Sequence, residues 1–252
     1  MQDSFTVVTL AERADLFEAA DTMCGAEWPE FMLHDPVAND NWMTFIEAYP
    51  EFQLLILHGD DIAAVVNTIP LRFDGPAETL PDDGWDWGVL KAVEDLRAGL
   101  KPNALFGVQI VVNSAYQGKG LSSFATKQML SLIHTHSLER LVIAVRPNRK
   151  CDYPLVSIDD YLTWKNADGH SFDSWLRVHE KCGGRIVKVC PKAMLIEGSI
   201  DEWETWTGKR FPGTGLHIVP GALSPVAMDR ERNRGTYIEP NVWVVYEGSK
   251  RL

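Results

Sequence analysis

Several things are scarce in this 252-residue chain, and each scarcity excludes a class of protein. Nowhere do 18 apolar residues run together, so no membrane-spanning helix and no membrane partner is expected. The four cysteines (Cys24, Cys151, Cys182, Cys190) form no CxxC pair and read as reduced thiols, not as a disulfide framework. The opening Met1-Gln2-Asp3-Ser4-Phe5 has neither the basic region nor the apolar stretch of a secretory leader, which makes the cytoplasm the expected compartment. Basic residues are few: 24 Lys and Arg stand against 35 Asp and Glu, a formal net charge of −11. An acidic body repels a nucleic-acid backbone, so neither DNA nor RNA is an expected partner. There is no internal repeat and no low-complexity linker. With 45% hydrophobic and 23% charged residues, the composition is that of a folded domain with one substantial core.

The charge is unevenly distributed. Residues 1–118 hold 5 Lys/Arg against 20 Asp/Glu, residues 119–192 hold 12 against 7, and residues 193–252 hold 7 against 8. A basic middle in an acidic chain suits an anionic ligand of limited size, such as a phosphorylated cofactor, better than a long polyanion.

Apolar periodicity places a short strand at 5–10 and helices at 11–24 and 40–49. Two strands at 52–58 and 62–70 are joined by Gly59-Asp60-Asp61. The stretch 74–103, with its Pro/Gly clusters and a helical segment near 89–100, reads as an insertion between strands. The strongest strand is 105–113, followed by a turn at 114–120 and a helix at 121–136. A buried strand at 141–145 comes next, then a long loop over 148–170 with a helix start at Ser157. A helix at 172–181 stops at Gly183-Gly184, and β segments follow at 185–189, 193–196 and 236–248. The order β-α-α-β-β-β-α-β-α-β-β is that of a mixed α/β sheet in one domain over 1–252. The segment 198–252 reads as a C-terminal extension.

The informative stretch is Val111-Val112-Asn113-Ser114-Ala115-Tyr116-Gln117-Gly118-Lys119-Gly120-Leu121-Ser122. A buried strand ends, two glycines turn the backbone, and a helix begins at once. The unpaired N–H groups and partial positive charge of a helix N-terminus attract phosphate, and glycine lets it come close. Lys119 adds a full charge. The turn is neither a Walker loop, since Gly120 follows Lys119, nor a Rossmann fingerprint, since Ser123 stands where a third glycine is needed.

Gln117-x-x-Gly120-x-Ser122 behind a hydrophobic strand resembles the coenzyme A loop of the GNAT acyltransferase superfamily, with Ser122 where Gly or Ala is usual. Downstream, His179-Glu180-Lys181-Cys182-Gly183-Gly184 resembles the family's Tyr-Glu-Lys-Leu-Gly-Phe signature. The resemblance is best over 105–147 and 172–190. It implies the GNAT-like acyl-CoA N-acyltransferase fold, with acetyl-CoA or another acyl-CoA as co-substrate and no metal. It further implies direct transfer of the acetyl group to an amine of a small molecule. The pyrophosphate would rest on Gln117, Gly118, Lys119, Gly120, Leu121 and Ser122, and a main-chain N–H near Ile110 or Val111 would polarise the thioester carbonyl. His179 occupies the place of the family's proton-donating Tyr, with a pKa ordinarily near 6.5. His170, in the long loop, is a second catalytic candidate. No carboxylate stands on 105–113, where the family often has a base; Gln109 is there instead.

An acidic body favours a cationic acceptor such as a polyamine or amino sugar. Two other functions use the same cofactor site. One is a GNAT-like malonyl-CoA decarboxylase or an S-acyltransferase that loads a carrier protein, and the other is a non-enzymatic acyl-CoA sensor. The pair His134 and His136 suggests no metal site, because neighbours two apart on a helix point away from each other. Cys182 and Cys190 read as inert thiols, Asp82-Asp83 and Asp159-Asp160 as turn and cap residues, and the Trp residues after 198 as packing.

Overall fold

A computed structural model describes residues 5–248. Residues 1–4, on which the leader reading largely rests, and residues 249–252, the end of the 198–252 segment, lie outside the described residues. A strand apolar at nearly every position must be covered on both faces, and β2 (Gln53–His58), β3 (Asp61–Leu71), β4 (Ala104–Val112) and β5 (Arg140–Val145) are such strands. With β1 (Thr6–Thr9), β6 (Arg185–Gly198), β7 (Gly215–His217), β8 (Val226–Asp229) and β9 (Arg234–Glu247) they form one nine-stranded sheet. Its order is β1-β2-β3-β4-β5-β9-β8-β7, with β6 on the other edge of β9.

The two faces carry different helices. On one lie α1 (Phe17–Glu27), α2 (Pro36–Ala48) and α3 (Gly84–Arg97), and α7 (Ile200–Thr207) closes the same core. On the other lie α4 (Leu121–Thr135), α5 (Ile158–Thr163) and α6 (Ser174–Lys181). The helix starts follow from short side chains that satisfy unpaired amides. Asp35 accepts from the Ala38 N–H, Ser157 from Asp160, and Asp173 from Trp175 and Leu176. Helix α7 has a full capping box, Ser199 with Glu202. Helix α3 comes so close to the sheet that a Cβ on Gly88 would sit 2.2 Å from the Phe106 ring, which fixes glycine there.

The β4–α4–β5 crossover makes β4 and β5 the sheet's parallel pair, and they pair only over Ala104–Gly107 with Arg140–Ile143. Beyond that they part. The divergence coincides with an irregularity on β4, where Asn67 faces Gln109 and Thr68 faces Gly107, leaving Val108 as an extra residue. The Trp85 indole N–H donates to the Val108 carbonyl at 2.8 Å and satisfies the group that the bulge leaves unpaired. From there β5 continues along β9, and β4 exposes its far edge to a gap.

Some sequence expectations differ from the outcome. The segment 198–252 is more than an extension: its last strand, β9, lies inside the sheet between β5 and β6. Residues 236–248 looked terminal only because their partners are far off in sequence. The two segments read at 185–189 and 193–196 are one strand, β6, with a break in register between Cys190 and Met194. The four cysteines are free.

Candidate active site

The gap between β4 and β5 opens into a cleft of about 780 Å³. One end is the turn before α4. Gly118 and Gly120 adopt left-handed φ angles of 76° and 77°, and an added Cβ at either would meet nothing within 4 Å. Gly120 caps α4 without a side chain, and the first helical bond runs from the Phe124 N–H to the Gly120 carbonyl. The amides of Leu121, Ser122 and Ser123 therefore point outward without an intrahelical acceptor. The Gln117 side chain donates to the Val112 carbonyl at 3.2 Å, pinning the turn to the strand, and the Lys119 ammonium lies 5.1 Å from the Tyr116 ring centroid. Gln117, Gly118 and Ser122 line the cleft.

Along β4, the Asn113 N–H bonds to the Ala63 carbonyl of the neighbouring chain segment. Antiparallel alternation then directs the Val111 N–H into β3 and the Ile110 N–H toward the open gap. Of these two amides, Ile110 is thus the one free to meet a ligand. Gln109, in the place where a carboxylate base would be useful, is locked at both ends. It accepts from the Trp28 indole at 3.0 Å and donates to Asn67 at 2.8 Å, and Asn67 donates onward to Gln53.

His179 lies in the cleft wall and is 1% exposed. The Tyr246 hydroxyl is 2.8 Å from its Nδ1 and 3.2 Å from its carbonyl oxygen, while Nε2 has no protein partner. Burial lowers its pKa from 6.5 to about 3, so the ring is uncharged at neutral pH. Burial thus works against the imidazolium donor that the unperturbed pKa allows. With the Tyr246 hydroxyl donating to the His179 carbonyl, Nδ1 carries the ring hydrogen and donates to the Tyr246 oxygen, which leaves Nε2 as an acceptor.

His170 is elsewhere. Its side chain is 46% exposed, 4.0 Å from Glu180 and outside the cleft lining. The loop that holds it packs on itself through Tyr153, Tyr161, Trp164 and Phe172. Such an aromatic knot consumes the side chains that could have shaped a pocket, and from this region only Arg146 and Asn148 reach the cleft.

The other end of the cleft is built by residues that sequence reasoning missed. Between the stretches of β9 paired to β5 and to β8, one edge is left open around Glu239 and Asn241. Glu239 is fully buried and accepts from Arg146 Nε and from the Tyr237 hydroxyl, each at 2.9 Å. Arg146 also donates to the Gly221 carbonyl and lies 5.7 Å from the Trp28 ring centroid. Trp28, Met32, Trp42, Trp85 and Met194 line the walls. These come from five separate segments, and no local spacing signals them. Among the described residues no group of three His, Cys, Asp or Glu is placed to hold a metal ion, and no helix is long and apolar enough to cross a membrane.

A splayed parallel strand pair, with an uncapped helix at one end and a free strand edge along one wall, can hold an extended phosphorylated thioester. Comparison with known proteins agrees. The chain is 32% identical to the arginine N-acetyltransferase avaD of Aspergillus versicolor, over 96% of this chain and 93% of that one. Among solved structures, it superposes on the loading GNATL domain of CurA from Lyngbya majuscula with a TM-score of 0.61 and 17% identity, covering 97% of this chain and 98% of that one. A GphF GNAT-like decarboxylase in complex with isobutyryl-CoA matches at a TM-score of 0.53 and 13% identity, over 97% and 98%. At such identities these two likenesses are of fold. No family model matches the chain. The chain belongs to the GNAT superfamily. It is an acyltransferase of the N-acetyltransferase kind that uses acetyl-CoA.

Proposed function

We propose that this protein transfers the acetyl group of acetyl-CoA to the primary amine of a small cationic acceptor, with arginine the first candidate. The observation that carries the reading is the polarity of the cleft: helix amides without a side-chain cap and Lys119 at one end, the buried Glu239 carboxyl at the other. The avaD relative, whose name specifies arginine, supports it. In this reading the pyrophosphate rests on the Gln117–Ser122 turn and the thioester oxygen takes the Ile110 N–H. The amine nitrogen attacks the carbonyl carbon directly, so a C–N bond forms, the C–S bond breaks, the amine gives up a proton and the leaving thiolate gains one. The products are the N-acetylated amine and free coenzyme A.

The test is thiol release from acetyl-CoA across arginine, agmatine, polyamines and amino sugars, with mass spectrometry of the product. Turnover of arginine to its acetyl derivative is expected. If acetyl-CoA binds and arginine is not acetylated, this reading is wrong.

His179 enters as an uncharged hydrogen-bonding group beside the thioester, held by Tyr246, and His170 has no part in the chemistry. A His179→Gln variant keeps a donor and does not titrate. Its kcat is expected to fall by no more than about tenfold, with the shape of the pH profile unchanged. Loss of a limb with a pKa of about 6.5 would instead mark His179 as the titrating acid.

A further inference from the structure

Arg146 has donors left over, and they lie at the cleft. It follows the last residue of β5, where β4 and β5 have already parted, and it lines the cleft with its side chain 17% exposed. The guanidinium is held on three sides. Its Nε donates to the fully buried Glu239 at 2.9 Å, its Nη2 donates to the Gly221 carbonyl, and its Cζ lies 5.7 Å from the Trp28 ring centroid. Two of these partners are themselves fixed: Glu239 also accepts from the Tyr237 hydroxyl at 2.9 Å, and the Trp28 indole donates to Gln109 at 3.0 Å. A guanidinium has five N–H donors, and these contacts use two of them. Among the described residues Nη1 has no hydrogen-bond partner. It is not shut away from solvent either: the described side-chain nitrogens buried without a partner are Arg140 Nε, His179 Nε2 and Trp203 Nε1.

We infer that Arg146 binds the carboxylate of the acceptor through Nη1, and so selects an α-amino acid over the matching decarboxylated amine or amide. The inference rests on the reading given under Proposed function and narrows its substrate class. A carboxylate answers a free guanidinium end well, because its two oxygens match N–H groups set in a planar fork. The contacts that hold Arg146 also remove, before any ligand arrives, the side-chain freedom that a mobile arginine would lose on binding. Glu239 does not cancel the site, since it occupies Nε and leaves Nη1 open. It offsets one charge, so an arginine whose α-amine is uncharged for attack adds no net charge to the pair. A polyamine brings only donors to these N–H groups and gives them nothing to bond.

The experiment compares arginine with argininamide, which keeps the amine and the guanidinium and lacks the carboxylate, and with agmatine. It uses the wild type and the double variant Arg146→Gln/Glu239→Gln, in which both charges go together and no buried carboxylate is left unpaired. The wild type is expected to favour arginine over both analogues by at least about 30-fold in kcat/KM; this comparison needs no variant to fold. The double variant is expected to raise the KM for arginine by about 30-fold and to leave that for argininamide within about threefold, with acetyl-CoA affinity unchanged. Equal use of arginine and argininamide by the wild type, or a ratio between them unchanged in the variant, overturns the assignment while leaving arginine acetylation standing. So does a calorimetric preference of the wild type for malonyl-CoA over acetyl-CoA that the variant loses, since Arg146 would then hold an acyl carboxylate. Absence of arginine turnover by the wild type overturns the functional reading itself, and the assignment with it.

Discussion

A Gly120→Asp substitution is expected to weaken acetyl-CoA binding by at least about 100-fold while the fold survives. Gly120 is the cap of α4, with φ at 77° and no protein atom within 4 Å of where a Cβ would stand. The new side chain therefore clashes with nothing in the protein. It projects into the space where a pyrophosphate meets the helix amides and adds a negative charge there. An aspartate also caps the helix by bonding its amides itself, so charge and competition act together. Gly120→Ala isolates the backbone cost: alanine in the left-handed region loses about 1 kcal/mol and adds no charge. Titration calorimetry with acetyl-CoA on the wild type and both variants measures the effect. Alanine is expected to bind within about tenfold of the wild type, since its cost is backbone strain alone. If aspartate binds as well as alanine, residues 117–122 are only a turn, and the cofactor site lies elsewhere.

The second large effect is a gain. Asp86→Asn is expected to stabilise the protein at alkaline pH by on the order of 2 kcal/mol, a rise in Tm of about 4 °C or more for a chain of this length. In the unfolded chain the carboxyl has its ordinary value of 3.8; in the fold, burial first and then the charge of Asp35 raise it to about 8. Asp83 and Glu239 push the same way, and the Leu195 N–H opposes them. Between those two values the folded protein holds a proton that the unfolded chain has released. Rising pH therefore erodes stability progressively, and the loss is complete above about pH 8. Asparagine keeps the shape and the acceptor for Leu195 and removes the titration. Melting curves of wild type and variant should coincide near pH 4 and separate as pH rises. Parallel curves across that range would show that Asp86 is better solvated than its burial implies.

Much of the proposed cofactor half was legible in the chain. A buried strand, a Gln-x-x-Gly-x-Ser turn and a helix are contiguous, and contiguous residues need only local geometry to form a phosphate-binding end. The resemblance of 117–122 and of 179–184 to GNAT motifs led to the same fold that the nine-stranded sheet displays. The helix boundaries at Ser157 and Gly183 were likewise local matters of capping. Helix α7 escaped notice although Ser199 and Glu202 stand at capping-box spacing, because its tryptophans drew the reading toward packing alone. They do pack: Trp203 meets Phe31, and Trp206 stacks on His34.

The far end of the cleft was not legible, for a physical reason. Asp35, Asp86, Arg146 and Glu239 each look unremarkable in their own segments: a cap, a first-turn acid, a strand-end arginine, a lone acid in an apolar run. Arg146 and Glu239 meet only because β5 and β9 run side by side next to the cleft, where burial removes the water that would otherwise screen them. His179 shows the same limit. Sequence matched it to a family tyrosine, but a pKa belongs to surroundings, and burial lowers this one. The sequence by itself determined the mixed α/β class, the family and the glycine turn that opens α4, all of which depend on short-range order. The tertiary structure decided which backbone amide faces the gap, where the last strand lies and how Arg146 meets Glu239 out of water, because those depend on long-range contacts that no local pattern encodes.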